Sequence, residues 1–226
     1  MEDFNLGGKR ALVIGGTSGI GFALSALLAA EGALVCMTGT HRPAADFAFS
    51  YMPCDFARKG VEELSRPDFA AELAACDIAA VCYGPFVQKP VHETTAEDWL
   101  SVACLDYALP GIVVSTVLPQ MMSRGGGSIL LFGGTRSEGV RVCRTNAAYH
   151  GAKTALSVLV KSVAAEYGRY NVCCNAVLPG FTRHAPEGYA LSPETVAKAA
   201  LFLLERRELN GTLLTVDKGW APSQGA

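Results

Sequence analysis

The chain alternates between short apolar runs and longer stretches in which apolar positions recur with a helical period. Unbroken apolar runs are typical of strands buried on both faces of a sheet, and the amphipathic stretches between them are typical of crossover helices. Seven strands are predicted on this basis. They are Arg10–Gly15, Leu34–Thr38, Phe49–Cys54, Asp77–Tyr83, Ser128–Phe132, Val172–Leu178 and Gly211–Val216.

Helices are predicted between most of these strands, and Thr95 is a candidate N-cap for the third. Strand–helix alternation predicts an α/β fold, a doubly wound parallel sheet with helices on both faces. No internal repeat or interdomain linker interrupts the pattern, so residues 1–226 are predicted to form a single domain. The predicted helices are Gly19–Glu31, Arg66–Ala75, Thr95–Ser123 (one helix or two), Asn146–Tyr170 and Pro193–Glu205.

Composition narrows the class of protein. The 226 residues are 50% hydrophobic and 18% charged, with a formal net charge of -2, which fits one soluble domain with a substantial core. A near-neutral balance gives no electrostatic footprint for nucleic acid or for an anionic membrane surface. Neither class of partner is therefore expected.

Targeting and redox signals point to the cytoplasm. The N-terminus, Met1–Phe4, is acidic and lacks the basic and apolar regions of a signal peptide, and the apolar runs look too short or too interrupted to span a bilayer. The eight cysteines show no paired CxxC spacing, and the adjacent Cys173 and Cys174 are poorly placed to share a metal. Reduced thiols in a cytoplasmic protein without a metal site are predicted.

A Gly-rich turn, Gly15–Gly21 (GGTSGIG), joins the first strand to the first helix. Glycines here permit a tight turn and a close approach of backbone to a pyrophosphate, while the helix N-terminus offers free N–H groups and a positive dipole end. No Gly-Lys-Ser/Thr follows, so the spacing is not that of a P-loop. Its place between a strand and a helix predicts a dinucleotide-binding turn, with an ordinary flexible turn as the alternative.

Tyr149 and Lys153 lie four residues apart in a predicted helix, so their side chains share one face, one turn apart. An ammonium beside a phenol favours the phenolate, and the pKa of Tyr149 is expected to fall from about 10 toward working pH. Such a phenol exchanges a proton with an alcohol or a carbonyl oxygen. The alternative is a surface pair that packs by its stems.

Three motifs together resemble the short-chain dehydrogenase/reductase family: the Gly-rich turn, Tyr149–Lys153 and Asn175–Thr182 (NAVLPGFT). The similarity extends over essentially the whole chain, as far as Leu214–Gly219. The resemblance implies a Rossmann-type fold, a nicotinamide cofactor, and hydride transfer between an alcohol and a carbonyl. It also implies that Tyr149 donates or accepts the proton, that Lys153 holds the nicotinamide ribose, and that Asp55 contacts the adenine.

The end of the second strand bears on the choice of cofactor. An acidic residue there bonds the ribose 2′-hydroxyl and repels a 2′-phosphate, but the position falls on Gly39, and Arg42 follows shortly after. Because no carboxylate is present and Arg42 could pair with a phosphate, NADP is predicted, with NAD as the alternative. The predicted cofactor-binding residues are Gly15, Thr17, Ser18, Gly19, Ile20, Gly21, Thr40, Arg42, Asp55, Phe56, Tyr149, Lys153, Pro179, Gly180 and Thr182.

The chain departs from the family at a serine that usually ends the fifth strand and hydrogen-bonds the substrate oxygen. Aligning the strand puts Gly134 there, with Thr135 next to it, whereas counting back from Tyr149 favours Ser137. Either hydroxyl is a candidate partner of the substrate, and simple turn chemistry is the alternative for both. Loss of a donor to the developing oxyanion would cost about 10²–10³ in rate.

Two further family positions are changed. The Asn-Ala-Gly segment after the fourth strand is Tyr83-Gly84-Pro85, and the helical asparagine that supports a proton relay aligns with Asp106. An aspartate still accepts hydrogen bonds and, if near Lys153, favours its protonated form. Asp106 is therefore a candidate relay residue, with an ordinary exposed helical aspartate as the alternative.

Two connections are short. Gly39–Ala48 barely meets the roughly dozen residues of a parallel crossover, so the family's helix there is predicted to be absent or reduced to a turn. The substrate loop Arg183–Leu191 can exclude little water, which predicts an open site, a large substrate or a lid from a neighbouring subunit. Arg183 and His184 could meet an acidic or polar substrate, with solvated loop residues as the alternative. Candidates to line the pocket, or else to pack in the core or an interface, are Phe86, Val87, Tyr189 and Trp220.

Three functions fit these observations. The first is an NADP-dependent oxidoreductase for a small-molecule carbonyl or alcohol substrate, and the second is a non-redox dehydratase or isomerase on the same scaffold. The third is a cofactor-binding protein with impaired catalysis, suggested by Gly134, Tyr83 and Asp106 at altered positions. The resemblance implies a homodimer or homotetramer that pairs through the helices Thr95–Ser123 and Asn146–Tyr170.

Overall fold

The computed structural model describes residues 5–221 and contains a seven-stranded, wholly parallel sheet. The strands follow the order β3-β2-β1-β4-β5-β6-β7. The predicted doubly wound α/β fold and all seven predicted strands are confirmed; Met1–Phe4, which carried the signal-peptide argument, lies outside the described residues. The strands are β1 (Arg10–Ile14), β2 (Leu34–Gly39), β3 (Ser50–Pro53), β4 (Ile78–Val81), β5 (Gly127–Phe132), β6 (Val172–Pro179) and β7 (Leu213–Val216).

The strand order reverses beside β1. The chain first runs outward from β1 to β3 and then returns to place β4 on the other side of β1, where Ala11 pairs with Ile78. In open parallel sheets, ligands bind in the crevice outside the carboxyl ends of the strands at such a reversal. The residues that follow β1, β4, β5 and β6 therefore meet at one edge of the sheet.

Helices cover both faces of the sheet. Successive residues of β1 point to opposite faces, so Leu12 packs in the core beneath α3, α5 and α6, while Val13 packs in the core beneath α1 and α7. The helices are α1 (Gly19–Ala30), α2 (Phe56–Lys59), α3 (Pro67–Ala75), α4 (Ala96–Val102), α5 (Leu109–Ser123), α6 (Ala147–Tyr167) and α7 (Pro193–Glu205).

The predicted helix Thr95–Ser123 is one continuous run in which the π-helical segment Ala103–Ala108 joins α4 to α5. Thr95 caps the run as predicted: its hydroxyl accepts from Asp98 N (3.1 Å), and the Asp98 carboxylate accepts from Thr95 N (2.9 Å). A π-helical segment inserts a residue into the helix and is common at functional sites. Here it carries the buried Asp106.

The structure also differs from the sequence predictions at β4 and directly after β3. β4 ends at Val81, two residues earlier than predicted, although Cys82 N still donates to Ile14 O of β1 (2.8 Å). The short helix α2 was not predicted, and Asp55 caps it by accepting from Arg58 N (3.1 Å). Residues 40–49 form no helix, as the length of this connection predicts.

The run Ala96–Ser123 is long and apolar enough to cross a membrane by length and composition alone. This corrects the prediction that every apolar run is too short or too interrupted. In the fold, however, α5 buries Val113, Val117 and Met121 in the core against the sheet. The apolar side chains of this helix therefore pack it against the sheet.

Candidate active site

The Gly-rich turn lies at the carboxyl end of β1 and leads directly into α1. Gly15 has a φ of +77°, which favours glycine, and a Cβ on Gly21 would collide with the carbonyl oxygen of Gly15. Ser18 stands at the N-cap of α1, but its side chain makes no capping bond. The first N–H groups of α1 thus remain available to an anion, which fits the pyrophosphate of a dinucleotide.

The end of β2 has no room for an acidic side chain. A Cβ on Gly39 would collide with Thr17 Oγ1, so the hydroxyl of the Gly-rich turn occupies the place of that side chain. Tyr51 Oη donates to Gly39 O (2.9 Å). The guanidinium of Arg42 lies over the rings of Phe49 (4.9 Å from the centroid) and Tyr51 (6.0 Å), so two aromatic rings hold a cation near this strand end.

Thr40, Asp55 and Phe56 have local partners. Thr40 Oγ1 lies 2.9 Å from His41 Nδ1, and the Asp55 carboxylate is used as the cap of α2. Phe56 is buried and packs against Phe69 and Tyr83, with ring centroids 5.9 and 5.4 Å away. The Phe56 side chain therefore belongs to the core.

Tyr149 and Lys153 project from the first two turns of α6. Lys153 is buried; its Nζ lies 5.7 Å from the Tyr149 ring centroid and donates to Phe132 O at the end of β5 (3.0 Å). The same Nζ lies 2.9 Å from Asp106 Oδ1, and Asp106 is fully buried. The alternative prediction for Asp106, an ordinary exposed aspartate on a helix, is therefore wrong. The ion pair spans α6 and the π-helical segment.

The pKa of Tyr149 does not follow the prediction from Lys153 alone. Burial raises the pKa of Tyr149 above its usual value, Lys153 lowers it, and Asp106 raises it, so that the net shift is upward. Burial also raises the pKa of Asp106, against the opposing effect of Lys153. The predicted fall in the pKa of Tyr149 is thus wrong, because burial of the phenol and the Asp106 carboxylate together outweigh the effect of Lys153.

The structure shows which residue stands where the family usually has a serine. A Cβ on Gly134 would lie 3.4 Å from Tyr149 Oη, so Gly134 occupies the position beside the phenol. Ser137 is fully buried, and its hydroxyl accepts from Gly134 N (3.1 Å). Thr135 Oγ1 donates to Asp217 Oδ2. The hydrogen bonds of the two candidate hydroxyls thus join Ser137 to Gly134 and Thr135 to Asp217 rather than to Tyr149.

The loops after β4 and β6 border the phenol. The ring of Phe86, more than half exposed, meets the ring of Tyr149 edge-on, with centroids 4.8 Å apart. Pro179 O accepts from Thr135 N (2.8 Å), and Gly180 N donates to Val216 O (2.8 Å), so the β5, β6 and β7 ends are tied together. Thr182 is half-buried just beyond them.

The substrate loop forms no helix between Pro179 and α7. Arg183 and His184 are exposed, and Gly188 O accepts from Lys218 Nζ (3.3 Å). Trp220 packs edge-on against Phe181 (4.9 Å between centroids) rather than over Tyr149.

Sequence reasoning missed Asp217. It is buried, follows β7, and accepts from both Thr135 Oγ1 and Gly219 N (2.9 Å), so it fixes the turn that carries Gly134. The rule that polar residues after parallel strands gather at one edge could have identified it.

Comparisons with known proteins give matches over most of the chain. A family model described as enoyl-(acyl carrier protein) reductase matches residues 15–185. D-threitol dehydrogenase of Mycolicibacterium smegmatis is 26% identical, with 96% of this chain and 95% of that protein covered. The 3-oxoacyl-(acyl-carrier-protein) reductase of Chlamydia trachomatis is 26% identical, with 94% and 97% covered.

A solved structure described as a short chain dehydrogenase/reductase family protein superposes with a TM-score of 0.85 at 28% identity, covering 96% of this chain and 98% of that one. The similarity thus extends over the sheet, the Gly-rich turn and the Tyr149–Lys153 helix together.

Proposed function

This chain belongs to the short-chain dehydrogenase/reductase family of oxidoreductases, whose members use NAD or NADP, and on that premise we propose that it transfers a hydride between NADP(H) and a carbonyl or alcohol substrate, with Tyr149 as the proton donor or acceptor. The observation that carries this proposal is the placement of Tyr149 and Lys153 at the carboxyl edge of the sheet, with Lys153 Nζ bonded to the end of β5 (3.0 Å). The Gly-rich turn lies at the same edge.

Each residue has a defined task in this proposal. The bound nicotinamide supplies the hydride that the protein itself cannot. The Gly-rich turn and the N-terminus of α1 bind the pyrophosphate, while Tyr149 exchanges a proton at the substrate oxygen. Lys153 contacts Phe132 O and Asp106, and because an ammonium has three donors, one remains for the nicotinamide ribose. Pro179, Gly180 and Thr182 border the nicotinamide end.

The preference for NADP rests on the end of β2. Thr17 fills the space beside Gly39, so no carboxylate stands where it would repel a 2′-phosphate. Arg42, held by the rings of Phe49 and Tyr51, offers a guanidinium suited to phosphate. Comparing the affinity of the purified protein for NADPH and NADH tests this choice, and tighter binding of NADH would refute it.

A second candidate is a cofactor-binding protein with impaired catalysis. Gly134 beside Tyr149 supports it, because this position lacks a donor to the substrate oxygen. The same scaffold could also use Tyr149 for a non-redox dehydration or isomerisation. Against the impaired form stands the intact pair of Tyr149 and Lys153, in which the buried Lys153 contacts Phe132 O and Asp106.

The test of the proposed function is turnover. Purified protein is mixed with NADPH and a panel of ketones and aldehydes, and loss of NADPH absorbance is followed. We expect oxidation of NADPH with some of the panel, a fall of about 10²–10⁴ for Tyr149→Phe, and little change for Tyr170→Phe as a matched control. Tight NADPH binding without turnover across the panel would favour the impaired form instead.

We also propose that the protein is a homodimer or homotetramer that pairs through the helices of residues 96–123 and α6. Large apolar side chains are exposed there, among them Leu100 and Val158, at 71% and 65%. Large apolar side chains that stay exposed on two neighbouring helices are candidates for burial at a protein interface. Through such pairing a neighbouring subunit could supply the lid that the short substrate loop does not.

A further inference from the structure

Asp106 is a fully buried carboxylate with one charged neighbour. Its Oδ1 lies 2.9 Å from Lys153 Nζ, and its Oδ2 accepts no hydrogen bond from any of residues 5–221. A Cβ on Gly84 would collide with Oδ1, so the backbone of the loop after β4 closes tightly on the carboxylate. A buried carboxylate with so few donors is kept charged mainly by the ammonium beside it.

The ion pair of Lys153 and Asp106 changes the electrostatic potential at the Tyr149 phenol. A lone ammonium 5.7 Å from the Tyr149 ring centroid would favour the phenolate. An ammonium that contacts a carboxylate forms a pair with no net charge, and most of its attraction for a phenolate is cancelled. An asparagine at position 106, the residue that the family resemblance leads one to expect, would leave the lysine charge in place.

We propose that Asp106 is a positioning residue that cancels the charge of Lys153 at Tyr149, and that it thereby sets this site to donate a proton in carbonyl reduction rather than to accept one in alcohol oxidation. The inference rests on the proposed function and adds its direction. Donation requires the neutral phenol, whereas acceptance requires the phenolate that Asp106 disfavours.

In carbonyl reduction, Tyr149 supplies the proton that the substrate oxygen gains. Bound NADPH would supply the hydride, giving up one C–H bond and being left as NADP⁺. As that hydride forms a C–H bond at the carbonyl carbon, the electron pair of the carbonyl π bond forms a new O–H bond with the phenolic proton of Tyr149. The O–H bond of Tyr149 breaks and its electron pair stays on Oη. Solvent then returns a proton to the phenolate, which is rapid and favourable because the phenolate is not stabilised by a net positive charge.

The neighbouring groups do not supply Tyr149 with the positive charge that Asp106 cancels. Cys82 and Tyr83 follow β4, and burial raises the pKa of both, so both are neutral at neutral pH. Asp55 and Asp106 raise the pKa of Tyr83 further. The ring of Phe86, which covers Tyr149, carries no charge.

The test follows the ionisation of Tyr149 without any substrate. Tyrosinate absorbance is titrated in the wild type and in Asp106→Asn, and in each case the curve of the same protein with Tyr149→Phe is subtracted to isolate Tyr149. We expect Asp106→Asn to lower the midpoint of Tyr149 by about one pH unit or more. Glu97→Gln removes an exposed carboxylate from the same helical run and should leave the midpoint unchanged. An unchanged midpoint in Asp106→Asn overturns the proposal.

A second variant covers the case in which Asp106→Asn does not fold because Lys153 is left as an unpaired buried charge. In Asp106→Asn/Lys153→Met both charges are absent. We expect its Tyr149 midpoint within about half a unit of the wild type, because the wild-type pair is already neutral at the phenol. A midpoint clearly above that of the wild type would mean that the charge of Lys153 is not cancelled, and the proposal would fall.

Turnover separates this inference from the proposed function. If the carbonyl panel is reduced, the pH profile for oxidation of the corresponding alcohol should move to lower pH in Asp106→Asn. Absence of turnover with the expected spectroscopic shift would reject the proposed function and leave the electrostatic role of Asp106 standing. Turnover without the shift would support the proposed function and reject the electrostatic role of Asp106.

Discussion

Gly134 lies directly against the phenol of Tyr149, where a Cβ would stand 3.4 Å from Tyr149 Oη. This is ordinary van der Waals distance, so a small side chain fits without displacing the phenol. Gly134 is not among the residues with positive φ, and a non-glycine residue is therefore compatible with its backbone. The position can be refilled experimentally.

Gly134→Ser should raise kcat. A hydroxyl at this position would donate to the oxyanion that develops on the substrate, and one such donor is worth about 10²–10³ in rate when its geometry is favourable. Because the turn is not optimised for serine, a gain of about 10-fold is expected, measured as NADPH oxidation with any substrate of the panel. Gly134→Ala adds the same Cβ without the hydroxyl and should give no gain; equal effects of the two variants would refute a role for the hydroxyl.

Arg42→Ala should weaken NADPH binding by about 10-fold or more while leaving NADH binding nearly unchanged. The reason is that a guanidinium at the end of β2 would contact only the 2′-phosphate, and charge-assisted bonds to phosphate contribute roughly 1.5–3 kcal/mol. Fluorescence titration with each cofactor measures the two affinities.

Lys198→Ala is the control for Arg42→Ala, since it removes one exposed positive charge from α7. It should alter neither affinity. If Arg42→Ala weakened NADPH and NADH equally, Arg42 would act through the packing of Phe49 and Tyr51 rather than through the phosphate.

The sequence predicts the fold well because its signals are local or periodic. Apolar strands such as Ile78–Val81 and the cap at Thr95 depend on neighbouring residues only, and both are found where expected within a few residues. The Gly-rich turn is recognisable for the same reason: its function requires a fixed order of small residues after a strand.

The candidate site is only partly predictable because its contacts join distant segments. Counts from β5 and from Tyr149 disagree about the serine position, since the intervening loop has its own length; only the structure brings Gly134 to the phenol. Likewise, the pKa of Tyr149 depends on Asp106, 43 positions earlier in the chain, and on burial that no local pattern reports. The partnership of Thr135 and Asp217 is equally non-local.

Glu63→Gln should destabilise the fold at neutral pH. Glu63 is buried in the turn that follows α2, where its carboxylate contacts Arg66 (2.7 Å), Lys59 (3.3 Å) and Asp55 N (3.4 Å). Loss of these charge-assisted bonds should lower the free energy of unfolding by roughly 1–3 kcal/mol, measured by urea denaturation.

The effect of Glu63→Gln should depend on pH. Burial alone would raise the pKa of Glu63, but the bonds from Arg66, Asp55 N and Lys59 outweigh it and hold the pKa below its usual value. A carboxyl with a depressed folded-state pKa stabilises the protein fully above its unfolded pKa of about 4.3, and this stabilisation is lost as pH falls through the folded-state pKa. The difference from the wild type should therefore shrink below about pH 4. The exposed Glu62→Gln is the control, and a difference that stays constant down to about pH 3 would contradict this origin.

Leu100→Glu and Val158→Glu should each convert the protein to monomers. Both side chains are mostly exposed, at 71% and 65%, and lie on the two helices through which pairing is proposed. An unpaired carboxylate buried at an interface costs several kcal/mol, enough to shift a dimer or tetramer to monomer at micromolar concentration. Sedimentation velocity at several concentrations measures the change.

Leu34→Glu is the matched control for these interface variants. Leu34 is 59% exposed but begins β2, outside the two helices, so this variant should keep the wild-type oligomeric state. A wild-type monomer, or equal dissociation by all three substitutions, would reject the interface. If instead only the helix variants dissociate and also lose turnover, the neighbouring subunit contributes to the site, and the short substrate loop of residues 183–191 is explained by a lid supplied from across the interface.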